Sequence, residues 1–122
     1  MTGSPPRVLV VEDNLDQMDL LRRNFERAGC TVVLTKSAEE AILAYRESAP
    51  DLAVVDLMLP GMDGSTLIEL LKAEQPACAI VVTSVLDPAE FPESDGVLPK
   101  PFTRQNVEQV LESCLPDWRN DG

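Results

Sequence analysis

Four short apolar runs in this chain each lead into side chains that can do chemistry. The run 7–11 is followed by Glu12 and Asp13, the run 52–56 closes on Asp56, the run 79–83 closes on Thr83 with Ser84 behind it, and 96–98 leads into Lys100 and Pro101. Three carboxylates brought together repel one another, and a hard divalent cation relieves that repulsion. Mg²⁺ suits the role, because it takes oxygen ligands and keeps several of its waters. Asp13 and Asp56 are the expected direct ligands, with Glu12 acting directly or through water. Asp56 stands where a strand breaks into a loop, so its carboxylate can attack phosphorus and form an aspartyl-phosphate. Such a transfer rests on positioning and charge stabilisation. Lys100 supplies a cation for the phosphoryl oxygens, and Thr83 supplies a hydroxyl that can move toward them.

Taken one at a time, each residue has an ordinary explanation. Asp56 can simply end a strand. Glu12 and Asp13 suit the first turn of a helix, where acidic side chains meet the positive end of the helix dipole. Thr83 is β-branched and fits a strand, and Lys100 fits any surface. Their shared placement at the corresponding ends of four candidate strands is what those explanations leave untouched.

The elements that must position them follow from periodicity. Met18, Leu21 and Phe25 recur at helical spacing within 15–28, and Gly29 supplies the stop. A strand is expected at 31–34, then a helix to about Glu47 opened by the capping box Ser37-Ala38-Glu39-Glu40. Residues 64–74 read as a helix through Leu67, Leu70 and Leu71, and Thr103 caps a last helix with Val107, Val110, Leu111 and Cys114 on one face. Apolar strands alternating with amphipathic helices imply a parallel sheet covered on both faces. Right-handed crossovers then place every strand's carboxyl end on one edge, where such sheets bind ligands.

Composition narrows the function. A net charge of −11 repels phosphate backbones and anionic headgroups, which argues against nucleic acid or membrane as a partner. The 3 cysteines (Cys30, Cys78, Cys114) are widely spaced and form no Cys-x-x-Cys, so reduced thiols in the cytoplasm are expected. With no histidine, His-Cys zinc sites, Ser-His-Asp triads and phosphohistidine carriage are excluded. No signal peptide or membrane-spanning run is seen. The chain reads as one domain over 1–122 with a core of about 7–115.

Together VLVVEDN at 8–14, DLAVVDLMLPGMDG at 51–64, IVVTS at 80–84 and KPF at 100–102 resemble the receiver domains of bacterial response regulators. The resemblance covers nearly the whole chain. It implies a flavodoxin-like, doubly wound five-stranded parallel sheet with helices on both faces. It implies phosphorylation from a sensor histidine kinase or a phosphotransfer protein. It also implies a downstream protein target or a fused output domain, and a face usable for homodimerisation. Asp56 matches the phosphoacceptor, Glu12 and Asp13 the acidic pair, and the Met58 backbone carbonyl the remaining protein ligand of Mg²⁺. Thr83 matches the switch hydroxyl, Lys100 the family lysine, and Pro101 the proline after a cis bond that aims that lysine. Met58 and Ser84 match positions that tune phosphoryl lifetime.

The chain departs from the family twice. Val97 stands where Tyr or Phe is usual, three residues before the lysine. The segment between Thr83 and Lys100 is short and carries Pro88 and Pro92, a pair that a full fourth helix would not accommodate. A short turn, a loop or a single helical turn is expected there. Two other classes were weighed. A haloacid dehalogenase-like phosphatase needs Asp-x-Asp, and Met58 occupies the place of the general acid. A phosphate-independent pseudo-receiver, acting only as an interaction module, is the alternative to the switch.

Overall fold

The computed structural model describes residues 5–57, 64–84, 94–99 and 102–115. The chain runs β1 (Arg7–Val11), α1 (Leu15–Arg27), β2 (Thr31–Thr35), α2 (Ala38–Glu47), β3 (Leu52–Asp56), α3 (Gly64–Glu74), β4 (Ala79–Ser84), β5 (Gly96–Pro99) and α4 (Arg104–Cys114). All five strands are parallel, in the order β2-β1-β3-β4-β5. Parallel neighbours need crossovers, and α1, α2 and α3 lie on those that lead into β2, β3 and β4.

The strands are apolar throughout because both faces of the sheet are covered. Leu9, Val11, Ala53, Val55, Ile80 and Val82 pack on one face with Ala41, Tyr45, Leu67 and Leu71 of α2 and α3. Val8, Val10, Leu52, Val54, Val81 and Leu98 pack on the other with Leu21, Phe25, Val107 and Leu111 of α1 and α4. Each such aliphatic side chain contributes about 1.5–3 kcal/mol through burial. The two edge strands are the exceptions: Thr31 and Leu34 of β2 and Val97 of β5 face solvent.

Local chemistry sets the helix ends. Asn14 caps α1 by accepting from the Gln17 N–H, and Gly29 follows its end at φ 96°, a conformation that favours glycine. At α2 the expected capping box is only half formed. Ser37 Oγ accepts from Glu40 N–H at 3.1 Å, but Glu40 reaches back to the Lys36 N–H at 2.9 Å rather than to that of Ser37. The full box occurs at α4, between Thr103 and Asn106. Strands β2, β4 and β5 each run one residue past the lengths expected from apolar runs alone. The proline-bearing segment expected to replace a full helix falls at 85–93, outside the described residues.

Cys30 and Cys78 are free and buried. Burial, helped by the Asp51 charge, pushes the Cys78 thiol up to about 12 and the Cys30 thiol up to about 11. Because burial penalises the thiolate, both thiols suit the folded state only in their protonated form. The stability that depends on this is whole below the ordinary value of 9.0 and is lost as pH climbs toward 11 to 12. Alkylation with iodoacetamide at pH 8, followed by peptide mass mapping, should leave Cys30 and Cys78 unlabelled in the native protein and label both in denaturant. Rapid native labelling at either thiol would contradict their placement.

Candidate functional site

Strand order reverses direction at β1: one crossover leads outward to β2, the next leads back past β1 to β3. The crevice at the carboxyl ends of β1 and β3 is therefore the topological switch point, where open α/β sheets bind ligands. Glu12 and Asp13 leave the end of β1 there, and Asp56 is the last residue of β3.

The carboxylates of Glu12, Asp13 and Asp56 come within 4.8 Å of one another. Glu12 is fully buried and Asp56 is 3% exposed, while Asp13 faces solvent. Two ionised carboxylates at that spacing repel by about 3 kcal/mol at an effective dielectric constant of about 20. Such a repulsion is a large fraction of a domain's net stability of about 5–15 kcal/mol. The arrangement calls for positive charge. An all-oxygen donor set with one solvent-facing member fits a small hard cation that retains waters.

Asn14 braces this cluster. Its backbone N–H donates to Glu12 Oε2 at 3.1 Å, while its side-chain oxygen accepts from the Gln17 N–H at 3.0 Å. The cap of α1 and the buried glutamate are thus one hydrogen-bonded unit. Sequence reasoning had not given Asn14 a part in the site, although its type and position mark a helix cap.

Thr83 stands on the neighbouring strand, directly in register with Asp56. Two residues beyond Val54 and Val81, which share one face, Asp56 and Thr83 project to that same face. Thr83 is fully buried, and its hydroxyl has no hydrogen-bond partner among the described residues. Leaving a buried hydroxyl unsatisfied costs about 1–3 kcal/mol, so this one merits a functional explanation. β5 ends at Pro99, one residue before Lys100. Lys100, Pro101 and Met58 lie outside the described residues, as does the side chain of Ser84.

Gly64 explains how α3 can start against the end of β3. A Cβ at Gly64 would lie 2.7 Å from the Asp56 carbonyl oxygen and 2.7 Å from the Leu57 Cα. Both are backbone atoms and cannot swing aside. Val97, the departure from the family pattern, is 38% exposed on β5.

The family model of the response regulator receiver domain matches residues 8–112. The chain belongs to that family, and is a receiver domain of the two-component type, a signalling domain rather than an enzyme of the usual kind. It is 30% identical over 116 residues to the alkaline phosphatase synthesis transcriptional regulatory protein PhoP of Bacillus subtilis, covering 89% of this chain and 48% of the relative. It is 33% identical over 122 residues to the transcriptional activator protein PfeR of Pseudomonas aeruginosa, covering 95% of this chain and 40% of the relative. The chain thus spans about half or less of these relatives. Among solved structures, the receiver domain of a sensor histidine kinase from Pseudomonas aeruginosa, with a magnesium ion in its active-site cleft, shares the fold: TM-score 0.83, 20% identity, covering 92% of this chain and 98% of that one. No helix among the described residues is long and apolar enough to cross a membrane.

Gly64→Ala should lower stability by about 1–3 kcal/mol, the usual cost of overpacking a tight site. Urea denaturation measures this. An unchanged midpoint would show that α3 does not press on the Asp56 backbone.

Proposed function

We propose that this chain is a phosphoacceptor switch in which Asp56 takes a phosphoryl group from the phosphohistidine of a sensor histidine kinase or phosphotransfer protein. The observation that carries this reading is the buried Asp56 set within 4.8 Å of Glu12 and Asp13, in register with Thr83, whose hydroxyl has no partner among the described residues. An Asp56 carboxylate oxygen attacks phosphorus, a P–O bond forms, the P–N bond to the donor imidazole breaks, and the released imidazole nitrogen takes up a proton. Glu12, Asp13, Asp56 and the Met58 carbonyl would hold Mg²⁺. The bound ion would offset the crowded carboxylates and screen the phosphoryl oxygens. That a receiver of the same fold carries magnesium in its cleft supports this choice of ion.

After transfer the phosphoryl oxygens would offer acceptors to the Thr83 hydroxyl, which stands in register with Asp56. Turning it toward them satisfies a buried donor and shifts the end of β4, while Lys100 neutralises the added charge. The phosphorylated state is favoured by as much as these contacts differ between the two conformations. Through them the domain passes its state to a downstream protein target or to a fused output domain. Both named relatives are transcriptional regulators longer than this chain, which supports the second arrangement. The domain itself comprises about residues 7–115, in keeping with the family match over 8–112. Free buried thiols suit a reducing compartment such as the cytoplasm.

Incubation with Mg²⁺ and acetyl phosphate, read by intact-protein mass spectrometry, tests the proposal. One phosphoryl adduct is expected, dependent on Mg²⁺ and absent in Asp56→Asn. No adduct with acetyl phosphate or with a phosphorylated kinase would overturn it in favour of a phosphate-independent interaction module.

A further inference from the structure

Two threonines are buried at the carboxyl edge of the sheet, and they are bonded in opposite ways. Thr83, on β4, has a hydroxyl without a partner among the described residues. Thr35, the last residue of β2 and 4% exposed, is tied twice to the strand that delivers the acidic pair. Its Oγ1 donates to the Val10 carbonyl at 2.8 Å, a buried bond between residues 25 apart in sequence. Its own carbonyl accepts from the Glu12 N–H at 3.1 Å.

The second tie falls where β1 has lost its other neighbour. Pairing of β1 with β3 ends at Val11 opposite Val55, and β1 itself pairs with β2 only as far as Val11 opposite Thr35. Glu12 is therefore past the last register pair on either side. The Thr35 carbonyl is what extends the hydrogen bonding to its backbone, and the Thr35 side chain fixes the carbonyl of Val10 two residues earlier. The Glu12 side chain is fully buried and bound to the Asn14 N–H, so a displaced Glu12 backbone would carry the carboxylate, Asp13 and the α1 cap with it.

We propose that Thr35 is a positioning residue for the acidic pair, clamping the end of β1 so that Glu12 and Asp13 present their carboxylates to a divalent cation. This rests on the reading of Glu12, Asp13 and Asp56 as an Mg²⁺ site. Thr35 touches neither the ion nor the phosphoryl group. Its hydroxyl is already hydrogen-bonded, whereas that of Thr83 has no partner among the described residues.

The test is the Mg²⁺ affinity of the unphosphorylated protein, followed by NMR through the backbone amides of Asp13 and Asp56. Thr35→Val keeps the shape and removes the hydroxyl. It should weaken Mg²⁺ binding about 10-fold, the lower end of what is lost when groups orienting a metal ligand are removed. The Glu12 amide should also exchange faster with deuterium. Thr35→Ser, which restores the donor, should keep the wild-type affinity. Ile80→Val trims the core at the opposite end of β4 and should leave Mg²⁺ binding unchanged. Where Thr35→Val fails to fold, Thr35→Ala carries the same expectation. Wild-type affinity in the folded variant lacking the hydroxyl would overturn the proposal, as would an equal loss in Ile80→Val. If the wild-type protein itself binds no Mg²⁺, both the clamp and the metal reading on which it stands are overturned.

Discussion

Like charges crowded at low dielectric are what the rest of this molecule is organised around. Glu12 and Asp56 are withdrawn from water and set beside Asp13 within 4.8 Å. Water would separate such groups if the chain were free. The sheet prevents this, because two strand ends meeting at the switch point have no room to part. Like charges held this close favour cationic charge beside them, and the phosphoryl group proposed above would add to that preference. Under the proposed function, this imposed proximity is what would draw in a divalent cation, provided the carboxylates stay where the fold puts them.

Rigidity and freedom are distributed accordingly. On the acidic side the attachments are redundant: the Asn14 N–H on Glu12, the Thr35 carbonyl on the Glu12 N–H, the Thr35 hydroxyl on Val10. On the β4 side the Thr83 hydroxyl is buried without a partner among the described residues. Gly64 lets α3 begin close against the Asp56 and Leu57 backbone. Far from the site, Arg46 on α2 grips Glu74 on α3 through two hydrogen bonds at 2.9 and 3.1 Å. That exposed pair contributes little energy, about 0–1 kcal/mol, but it ties two helices of one face at the end away from the chemistry.

Much of this was legible in the sequence, for a physical reason. Strands buried on both faces read as unbroken apolar runs, so β1, β3 and β4 and the residues ending them stood out directly. The helices announced themselves through Met18, Leu21 and Phe25, and through the caps at Ser37 and Thr103. What periodicity could not supply was anything depending on pairs distant in the chain. Nothing in a threonine following Leu34 says that its hydroxyl will bond to Val10, since register decides that. Gly64 read only as a helix start; its need to lack a Cβ comes from the approach of Asp56 and Leu57. The half-formed box at Ser37 differs from expectation because Glu40 finds the Lys36 N–H within reach first. The order β2-β1-β3-β4-β5 was not read from the sequence, as local patterns do not rank neighbours in a sheet.

The central claim is the proposed one, that Glu12, Asp13 and Asp56 together form a site for a divalent cation. Thermal unfolding of the wild-type protein and of Asp56→Asn, each in chelator and in saturating Mg²⁺, tests it most directly. Ligand binding to the native state raises stability by mass action. The account predicts that Asp56→Asn is the more stable protein in chelator, because one of the repelling charges is gone, and that Mg²⁺ raises the melting temperature of the wild type far more than that of the variant. Equal melting temperatures in chelator, with no response of the wild type to Mg²⁺, would contradict it.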